Sequence, residues 1–399
     1  MKNKLIYKSV FLLLSTLSLF SCGKKKVEME LPPETLVLSH NWYYINADGF
    51  NKINSPKDAP LVMKKPYTEA CRISGIGQTV SLSGNKNAPV YAIVNHSGVI
   101  EFNNDEATLY SDKLMFKDFT ADGIVFMNDN PVFSFYKDSF FNDTLNSQLS
   151  SHTEDQDISV LVQFDVKAKT FFPILNTETL KLTPTSQVTD YYWDGNYWYY
   201  CIKDSKADRT EFSYIQWNPN TALLSILPND PKIDSETNID KKTKVELSKS
   251  SEDKFRKLKQ PRNYSEAPER VKKLLAHLAE NFAFSVNLKT AGGPSPRRYE
   301  NKIGDKQILE AVGQLADTWT AVMFKDGTMY FSGAISERRI INNSKPIAIR
   351  LPKLPEGFIY TDFGITGDTL YASWEEVAFY ETGRSGFISV DLGQILYND

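Results

Sequence analysis

Two stretches of the chain repeat the same order of residue types at a distance of 172 residues. One begins at Thr189-Asp190 and the other at Thr361-Asp362, and in both a Gly lies six residues and a Tyr ten residues after the Thr. A shorter relative spans residues 118–126. Internal repetition is the signature of an array of similar structural units. This repeat therefore limits the fold more strongly than composition does.

A second unit follows each of the two long stretches and also occurs once before them. The three copies of this unit end in Asp165, Asn218 and Asp391, and in each copy a short segment then leads into an apolar run. Asn218 lies 28 residues after Asp190, Asp391 lies 29 residues after Asp362, and Asp165 and Asn218 are 53 residues apart. A period of about 50 residues is long enough for one repeat of four short strands.

Between these units, short runs rich in Tyr, Phe, Val, Ile and Trp alternate with turn signals, a pattern typical of antiparallel β-structure. Asp48-Gly49, residues 95–98 and Asp326-Gly327 predict hairpins, because Gly readily adopts the positive φ that tight turns need. The repeated units resemble the outer hairpins of β-propeller blades. That resemblance implies an all-β propeller over residues 36–227 and 301–399, with five to seven four-stranded blades and six preferred. A β-sandwich is the alternative.

Residues 228–300 differ from the rest of the chain and predict an insertion. Residues 228–263 are polar and poor in aromatic side chains, so they lack the apolar content of a packed core. Beyond them, apolar residues recur with a helical period and predict one amphipathic helix at about residues 268–282. Its apolar stripe consists of Val271, Leu274, Leu275, Leu278 and Phe282. Residues 241–273 carry 12 basic and 5 acidic side chains, so the insertion is locally basic.

The amino-terminal segment has the features of a leader. Three lysines precede an apolar stretch of 11 residues, which is shorter than the roughly 20 residues that span a bilayer. The stretch ends in Leu19-Phe20-Ser21-Cys22, which resembles the lipobox of bacterial lipoproteins. The resemblance implies removal of residues 1–21, lipid attachment at Cys22, and a tether over residues 22–35. The alternatives are a secretory peptide in which Cys22 is incidental, or an uncleaved membrane anchor.

Charge and cysteine content exclude several other classes of protein. The chain has 46 Lys and Arg against 49 Asp and Glu, and the leader removes three of the basic residues. The mature chain is therefore acidic, and we expect no nucleic-acid partner. Cys71 and Cys201 lie far apart in sequence and predict two buried thiols rather than a disulfide. The four His residues are widely spaced, so we expect no metal site and no cofactor.

Two groups of residues are candidates for binding. Arg297 and Arg298 follow a Gly- and Pro-rich segment and could hold a carboxylate or phosphate through bidentate hydrogen bonds. The same basic region could instead contact anionic lipid headgroups or form a solvated loop. In the aromatic cluster of residues 191–200, Trp193 and Trp198 are candidates for stacking on a sugar or contacting a partner. The alternative for this cluster is packing in the core, with Trp193 at the turn as the exception.

Carboxylates that could cleave a glycosidic bond are present, because this reaction needs an acid and a base or nucleophile at a defined separation. They are Asp118, Asp190, Asp362, Glu375 and Glu376. Asp362 and its relatives recur with the repeat, so we expect them to act in turns rather than in one active site. No catalytic residue is assigned.

Together these features predict a lipid-anchored β-propeller of the bacterial cell envelope, outside the cytoplasm, on the periplasmic or surface face of the outer membrane. Its expected role is to bind a protein or another envelope component without catalysis. The layout is similar to that of the propeller lipoprotein of the outer-membrane protein assembly machine, but the Gly-x-x-x-Trp repeat ending of that family is absent. The alternative function is a surface propeller that binds or cleaves glycans.

Overall fold

A computed structural model describes residues 38–393 of the chain, so the leader, Cys22 and the tether lie outside the described residues. Within this range the undescribed residues are 47, 64–70, 79–86, 113–115, 117–118, 138–158, 177–179, 181–185, 194–195, 206, 208, 222, 227–251, 254–266, 283, 291–297, 302–305, 316–318, 337–338, 342–345 and 378–381.

The first half of the described chain forms a hairpin, a short strand and two antiparallel sheets. The hairpin consists of β1 (His40–Asn46) and β2 (Gly49–Ile53), and β3 (Val62–Met63) follows it. Sheet I consists of β4 (Ile73–Gly77), β5 (Val90–Val94), β6 (Gly98–Asn103) and β7 (Glu106–Ser111), paired in chain order. Sheet II consists of β8 (Phe119–Met127), β9 (Asn130–Lys137), β10 (Ser159–Asp165) and β11 (Thr170–Asn176), again paired in chain order.

The second half contains sheets III and IV and one long helix. Sheet III consists of β12 (Ser186–Trp193), β13 (Trp198–Ser205), β14 (Thr210–Asn218) and β15 (Leu223–Ile226). Helix α1 (Glu269–Asn281) comes next. Sheet IV consists of β16 (Phe284–Thr290), β17 (Arg298–Glu300), β18 (Gln307–Leu315), β19 (Trp319–Met323), β20 (Thr328–Ser336), β21 (Arg339–Ile341) and β22 (Ile347–Arg350).

Strands from both ends of the described chain form sheet V. Its strands are β23 (Phe358–Thr366), β24 (Thr369–Glu376) and β26 (Ser385–Asp391), followed by β1 and β2. The pairing of β26 with β1 runs from His40 opposite Val390 to Tyr44 opposite Gly386. The short β25 (Thr382–Gly383) pairs separately with β3. The amino-terminal hairpin therefore completes a sheet begun by carboxy-terminal strands.

The repeat found in the sequence coincides with a β-bulge in the first strand of a sheet. The pairing of the first two strands shifts register between Val188 and Asp190 in sheet III and between Tyr360 and Asp362 in sheet V. Sheets I and II have equivalent shifts in β4 and β8. A bulge adds one residue to a strand and bends it, so the Thr-Asp repeat marks the bend.

The predicted hairpins are confirmed. Asp48-Gly49 connects β1 to β2, residues 95–97 connect β5 to β6, and Asp326-Gly327 connects β19 to β20. Gly327 has φ +85°, and the Asp326 carboxylate accepts a hydrogen bond from the backbone N–H of Thr328 at 2.9 Å. The turn thus needs both the left-handed backbone and the acidic side chain that the sequence supplies.

Successive sheets pack against each other through shared hydrophobic clusters. One cluster joins sheets IV and V, a second joins V and I, a third joins I and II, and a fourth joins II and III. Fully buried aromatic side chains lie at these interfaces, among them Trp374, Tyr371, Phe164 and Trp198. The order of packing is therefore IV–V–I–II–III.

Helix α1 covers the face of sheet IV that points away from sheet V. The helix contacts β16, β19 and β20, and Val271, Leu274, Leu275 and Leu278 of the predicted stripe are buried. Pro268 precedes the first helical residue, where its missing N–H costs nothing. The stripe ends before Phe282, which caps the helix and packs its ring against Tyr330.

Two features differ from the sequence expectation. The described residues form five sheets of four or more strands rather than the preferred six. The expected boundary at residue 300 does not separate an insertion from the sheets, because β16 and β17 belong to sheet IV and β16 pairs in parallel with β18. The polar composition around them hides these two strands. In the described part of the chain, no helix has the length and apolarity needed to cross a membrane.

Candidate functional site

Two of the carboxylates that the sequence offered for hydrolysis are held by arginines. Glu375 Oε2 lies 3.8 Å from Arg72 Nη1, and Glu376 Oε1 lies 3.2 Å from Arg384 Nη1. The Arg384 Nε–H also donates to the carbonyl oxygen of Ala59 at 3.0 Å. Glu375 and Glu376 are adjacent on β24, so they point to opposite faces of sheet V. They do not form the facing pair of acids that glycoside cleavage needs.

Asp362 has a structural environment at the bulge of β23. Its Oδ2 accepts the backbone N–H of Ile76 at 2.8 Å, and its Oδ1 accepts the backbone N–H of Phe363 at 2.8 Å. The first of these bonds joins sheet V to sheet I. The expected turn role of Asp362 is therefore wrong, because the residue lies inside a strand and links two sheets. Asp118 and the side chain of Asp190 lie outside the described residues.

The second repeated unit does have a turn role. The Asp165 Oδ1 accepts backbone N–H groups of Lys167 and Ala168 at 2.8 and 2.9 Å. The equivalent oxygen of Asn218 accepts the N–H of Asn220, and that of Asp391 accepts the N–H of Gly393. These are Asx turns, which favour Asp or Asn at the residue that ends the strand. Hydrogen bonds from Ala168 and Lys167 also hold the pKa of Asp165 below its usual value.

Most of the described aromatic cluster packs in the core. Trp198 is fully buried between sheets II and III and packs near Tyr191 and Tyr200. The assignment of Trp198 to a binding surface is therefore corrected, because the alternation of β13 directs its ring inward. Burial also raises the pKa of the Tyr200 phenol. The backbone of Trp193 ends β12, and its side chain lies outside the described residues.

Of the two candidate arginines, Arg297 lies outside the described residues and Arg298 begins β17. The backbone of Arg298 pairs with that of Lys289 on β16, while its side chain is not described. Arg298 therefore belongs to an edge of sheet IV rather than to a loop.

This edge is part of a three-stranded segment, the projecting strands, formed by residues 284–290, 298–300 and 307–311. In β18, residues 307–313 pair with β16, whereas the pairing with β19 covers Val312 to Leu315. β19 ends at Met323 and turns back through Asp326-Gly327. Residues 307–311 therefore have no ladder pairing with β19 or β20. Among the described residues, no strand pairs with their second edge.

The two faces of the projecting strands differ in chemistry. Phe284, Val286 and Leu288 are buried on the side of α1, where the Phe284 ring packs against Phe324. The helix is fixed there by Asn301, whose Nδ2 donates to the Leu275 carbonyl oxygen at 3.0 Å. This face is therefore a structural interface.

The face of the projecting strands that points away from α1 is polar, and at β18 it is exposed to solvent. Ile308 is 44% exposed, whereas Ser285 beside it on β16 is 1% exposed. Glu310 lies opposite Asn287 in the ladder, and its Oε2 is 4.0 Å from Lys289 Nζ. Asn287 Oδ1 is buried without a hydrogen-bond partner. Exposure, charge and an open strand edge thus coincide at residues 307–311. This surface was not predicted, because the composition of residues 228–300 indicated an insertion that included β16 and β17.

The remaining predicted features concern cysteines and metals. Cys71 and Cys201 are both buried and are not joined by a disulfide, which confirms the prediction. Within the described ranges, no three His, Cys, Asp or Glu residues come together in a way that could hold a metal ion.

The fold and these sites define an all-β protein that is built from several four-stranded antiparallel sheets. The chain belongs to the family described as a family of unknown function (DUF8086), whose model matches residues 34–394.

Two individual proteins are also similar to this chain. An uncharacterized lipoprotein of Treponema pallidum (strain Nichols) is 24% identical over 259 residues, which are 60% of this chain and 56% of the relative. The chain thus matches little more than half the length of that lipoprotein. The crystal structure of an oligogalacturonate lyase from Vibrio parahaemolyticus aligns with 92% of this chain and 72% of its own, at 8% identity and a TM-score of 0.27.

Proposed function

We propose that this chain is a lipid-anchored module of the bacterial cell envelope that binds a protein or another envelope component without catalysis. The observation that carries the proposal is the engagement of the described candidate acids. Glu375 and Glu376 are paired with arginines, and both oxygens of Asp362 accept backbone N–H groups. Glycoside cleavage needs an acid and a base or nucleophile that both reach the scissile bond, whereas these carboxylates bond to groups of the protein itself.

The proposed anchor is Cys22. The lipobox-like residues 19–22 support it, and so does the name of the Treponema pallidum relative, an uncharacterized lipoprotein. A thioether-linked diacylglycerol supplies two acyl chains, and two chains hold a protein on a membrane far more firmly than one. Localisation to the envelope follows from this anchor.

We further propose that the five sheets are the blades of a closed β-propeller. Four sheet interfaces in the order IV–V–I–II–III support this arrangement. The bulged first strands β23, β4 and β8 of consecutive sheets contact one another, as strands around a central axis would. Completion of sheet V by β1 and β2 would join the two ends of the ring. Closure requires sheet III to approach sheet IV.

Distances between spin labels test the closure. Labels at Ser213 of sheet III and Arg350 of sheet IV, both exposed, should give a distance typical of neighbouring blades. A pair at Ser213 and Thr108 of sheet I, two blades apart, is the reference. If the Ser213–Arg350 distance clearly exceeds the Ser213–Thr108 distance, the five sheets form an open array and the proposal of a closed propeller is wrong.

Lipid labelling and cross-linking test the function. The wild-type protein in a bacterial host should incorporate labelled palmitate and fractionate with membranes, and Cys22→Ala should abolish both. Photo-cross-linking residues placed at exposed Phe172, Ile308 and Val377 should yield a discrete adduct in wild-type cells that is lost with Cys22→Ala. Palmitate labelling of Cys22→Ala would overturn the anchor. Release of sugars from envelope glycans by purified protein, abolished by Glu375→Gln, would overturn the non-catalytic role.

A further inference from the structure

We propose that the open edge of residues 307–311 on β18 binds an extended segment of a partner protein as an added β-strand, and that this segment carries alternating apolar and basic side chains. The inference rests on the proposed binding function and names the chemistry of its partner. Strand addition uses main-chain hydrogen bonds for affinity and alternate side chains for specificity.

The backbone provides the first argument. Residues 307–311 pair with β16 on one side, and among the described strands nothing pairs with their other side. Every second residue of such an edge presents its N–H and C=O groups to an incoming strand. Many proteins protect exposed edges with Lys, Pro or a bulge. This stretch, Gln-Ile-Leu-Glu-Ala, contains no Lys or Pro, and the described register of β16 with β18 is continuous.

The side chains provide the second argument. Ile308 and Glu310 are two residues apart, so both point to the face that α1 leaves open. Ile308 is 44% exposed and the Glu310 side chain is 50% exposed. Across an antiparallel or parallel ladder, directly facing side chains favour apolar–apolar and opposite-charge pairs. An added strand is therefore expected to place an apolar residue beside Ile308 and a Lys or Arg beside Glu310.

The charge of Glu310 favours a basic partner strand over a second copy of this chain. An antiparallel pairing of two copies about Leu309 would place Ile308 opposite Glu310, so neither side chain would meet a favourable neighbour. Among the described ion pairs, the one that involves Glu310 is with Lys289 on β16, at the 4.0 Å limit of an ion pair. Glu310 therefore remains available to a cation from the open side.

Short synthetic peptides test the proposal with the whole mature chain. The probe is a blocked, fluorescent peptide in which Thr alternates with Val and Lys. One control peptide carries N-methyl groups on alternate amides, and the other has Glu in place of Lys. Binding is measured by anisotropy, and hydrogen exchange of the amides of residues 307–311 locates it. We expect saturable binding of the Lys peptide with amide protection, and at least tenfold weaker binding of both controls.

Variants assign the binding to this edge. Glu310→Lys should weaken the Lys peptide at least tenfold and strengthen the Glu peptide, and Ile308→Ser should weaken both. Glu280→Lys, an exposed charge reversal on α1, is the matched control and should bind like wild type. Unfolding curves confirm that each variant is folded.

Equal binding of the N-methylated peptide, or unchanged binding by folded Glu310→Lys, would overturn the proposal. Self-association that Ile308→Ser abolishes would indicate a second copy and would also overturn it. Absence of peptide binding and of an adduct at position 308, while palmitate labelling and the adducts at positions 172 and 377 persist, would overturn the edge and leave the proposed function standing. Loss of the adducts as well would overturn both.

Discussion

The Asp362 carboxylate accepts the backbone N–H of Ile76 at 2.8 Å, across the boundary between sheet V and sheet I. The two residues are 286 positions apart in the chain. The other oxygen of the same carboxylate accepts the N–H of Phe363. One acidic side chain at a bulge thus fixes the bend of its own strand and the position of the neighbouring sheet.

Replacement of Asp362 should therefore lower the stability of the whole fold. A hydrogen bond to a charged group contributes about 1.5–3 kcal/mol, so we expect Asp362→Ala to lower the free energy of unfolding by about 2–4 kcal/mol because two such bonds are lost. Asp362→Asn keeps one acceptor oxygen and should lose about half as much. Urea denaturation at pH 7 measures both values. Equal stability of Asp362→Ala and wild type would show that the hydrogen bonds of Asp362 do not stabilise the fold.

The pairing of β1 with β26 depends on Gly386. A Cβ atom at this position would lie 1.9 Å from the Tyr43 carbonyl oxygen and 2.5 Å from the Trp374 ring. Since the carbonyl belongs to the paired strand, Gly386→Ala must separate β26 from β1. We expect a loss of at least about 2 kcal/mol in the free energy of unfolding. Ser389→Ala, on the same strand, is the control and should change stability by less than about 0.5 kcal/mol. Similar denaturation midpoints for the two variants would contradict the pairing.

Lys169 links sheet II to sheet I through charge. Its Nζ pairs with Glu101 Oε2 and lies 5.3 Å from the centre of the Tyr110 ring. The Glu101 side chain is 12% exposed and that of Lys169 is 37% exposed, so solvent partly screens the pair. Lys169→Met should lower the free energy of unfolding by about 1–2 kcal/mol, because it leaves the partly buried Glu101 carboxylate without this cationic partner. The double variant Lys169→Met, Glu101→Gln should recover part of that loss. A double-mutant cycle with no coupling would refute the link.

The strands, hairpins and helix could be predicted because their signals are local. Asp-Gly turns specify positive φ, and the spacing of Val271, Leu274 and Leu278 gives a helix its buried stripe. The roles of Asp362 and Trp198 could not be predicted, because each depends on which sheet lies alongside. A repeated Asp fits a turn and a bulge equally well from sequence alone.

The candidate surface could not be predicted for a related reason. β16 pairs in parallel with β18, and a parallel pair leaves no hairpin signature between its strands. Residues 291–297, which lie between β16 and β17 in the sequence, are rich in Gly and Pro, and this composition favoured a loop. The exposure of Ile308 and Glu310 also depends on where β19 ends, and composition does not specify that point.

The turn at Asp165 predicts a dependence of stability on pH. Backbone N–H groups of Ala168 and Lys167 hold the pKa of Asp165 below its usual value in the folded protein. The carboxylate therefore stabilises the fold at pH values above the unfolded pKa of about 3.9, and this contribution is lost as the pH falls through the lower folded pKa.

Asp165→Asn keeps an acceptor oxygen, as Asn218 does in the equivalent turn, where it accepts the N–H of Asn220 at 2.9 Å. The variant should thus be less stable than wild type at pH 7, and the two should converge as the pH falls below the folded pKa of Asp165. Urea unfolding of both proteins from pH 2 to 7 at low salt measures the difference between their free energies of unfolding. The other carboxylates are the same in both proteins, so their contributions cancel in this difference. A difference that stays constant or grows toward acid would contradict the assigned turn.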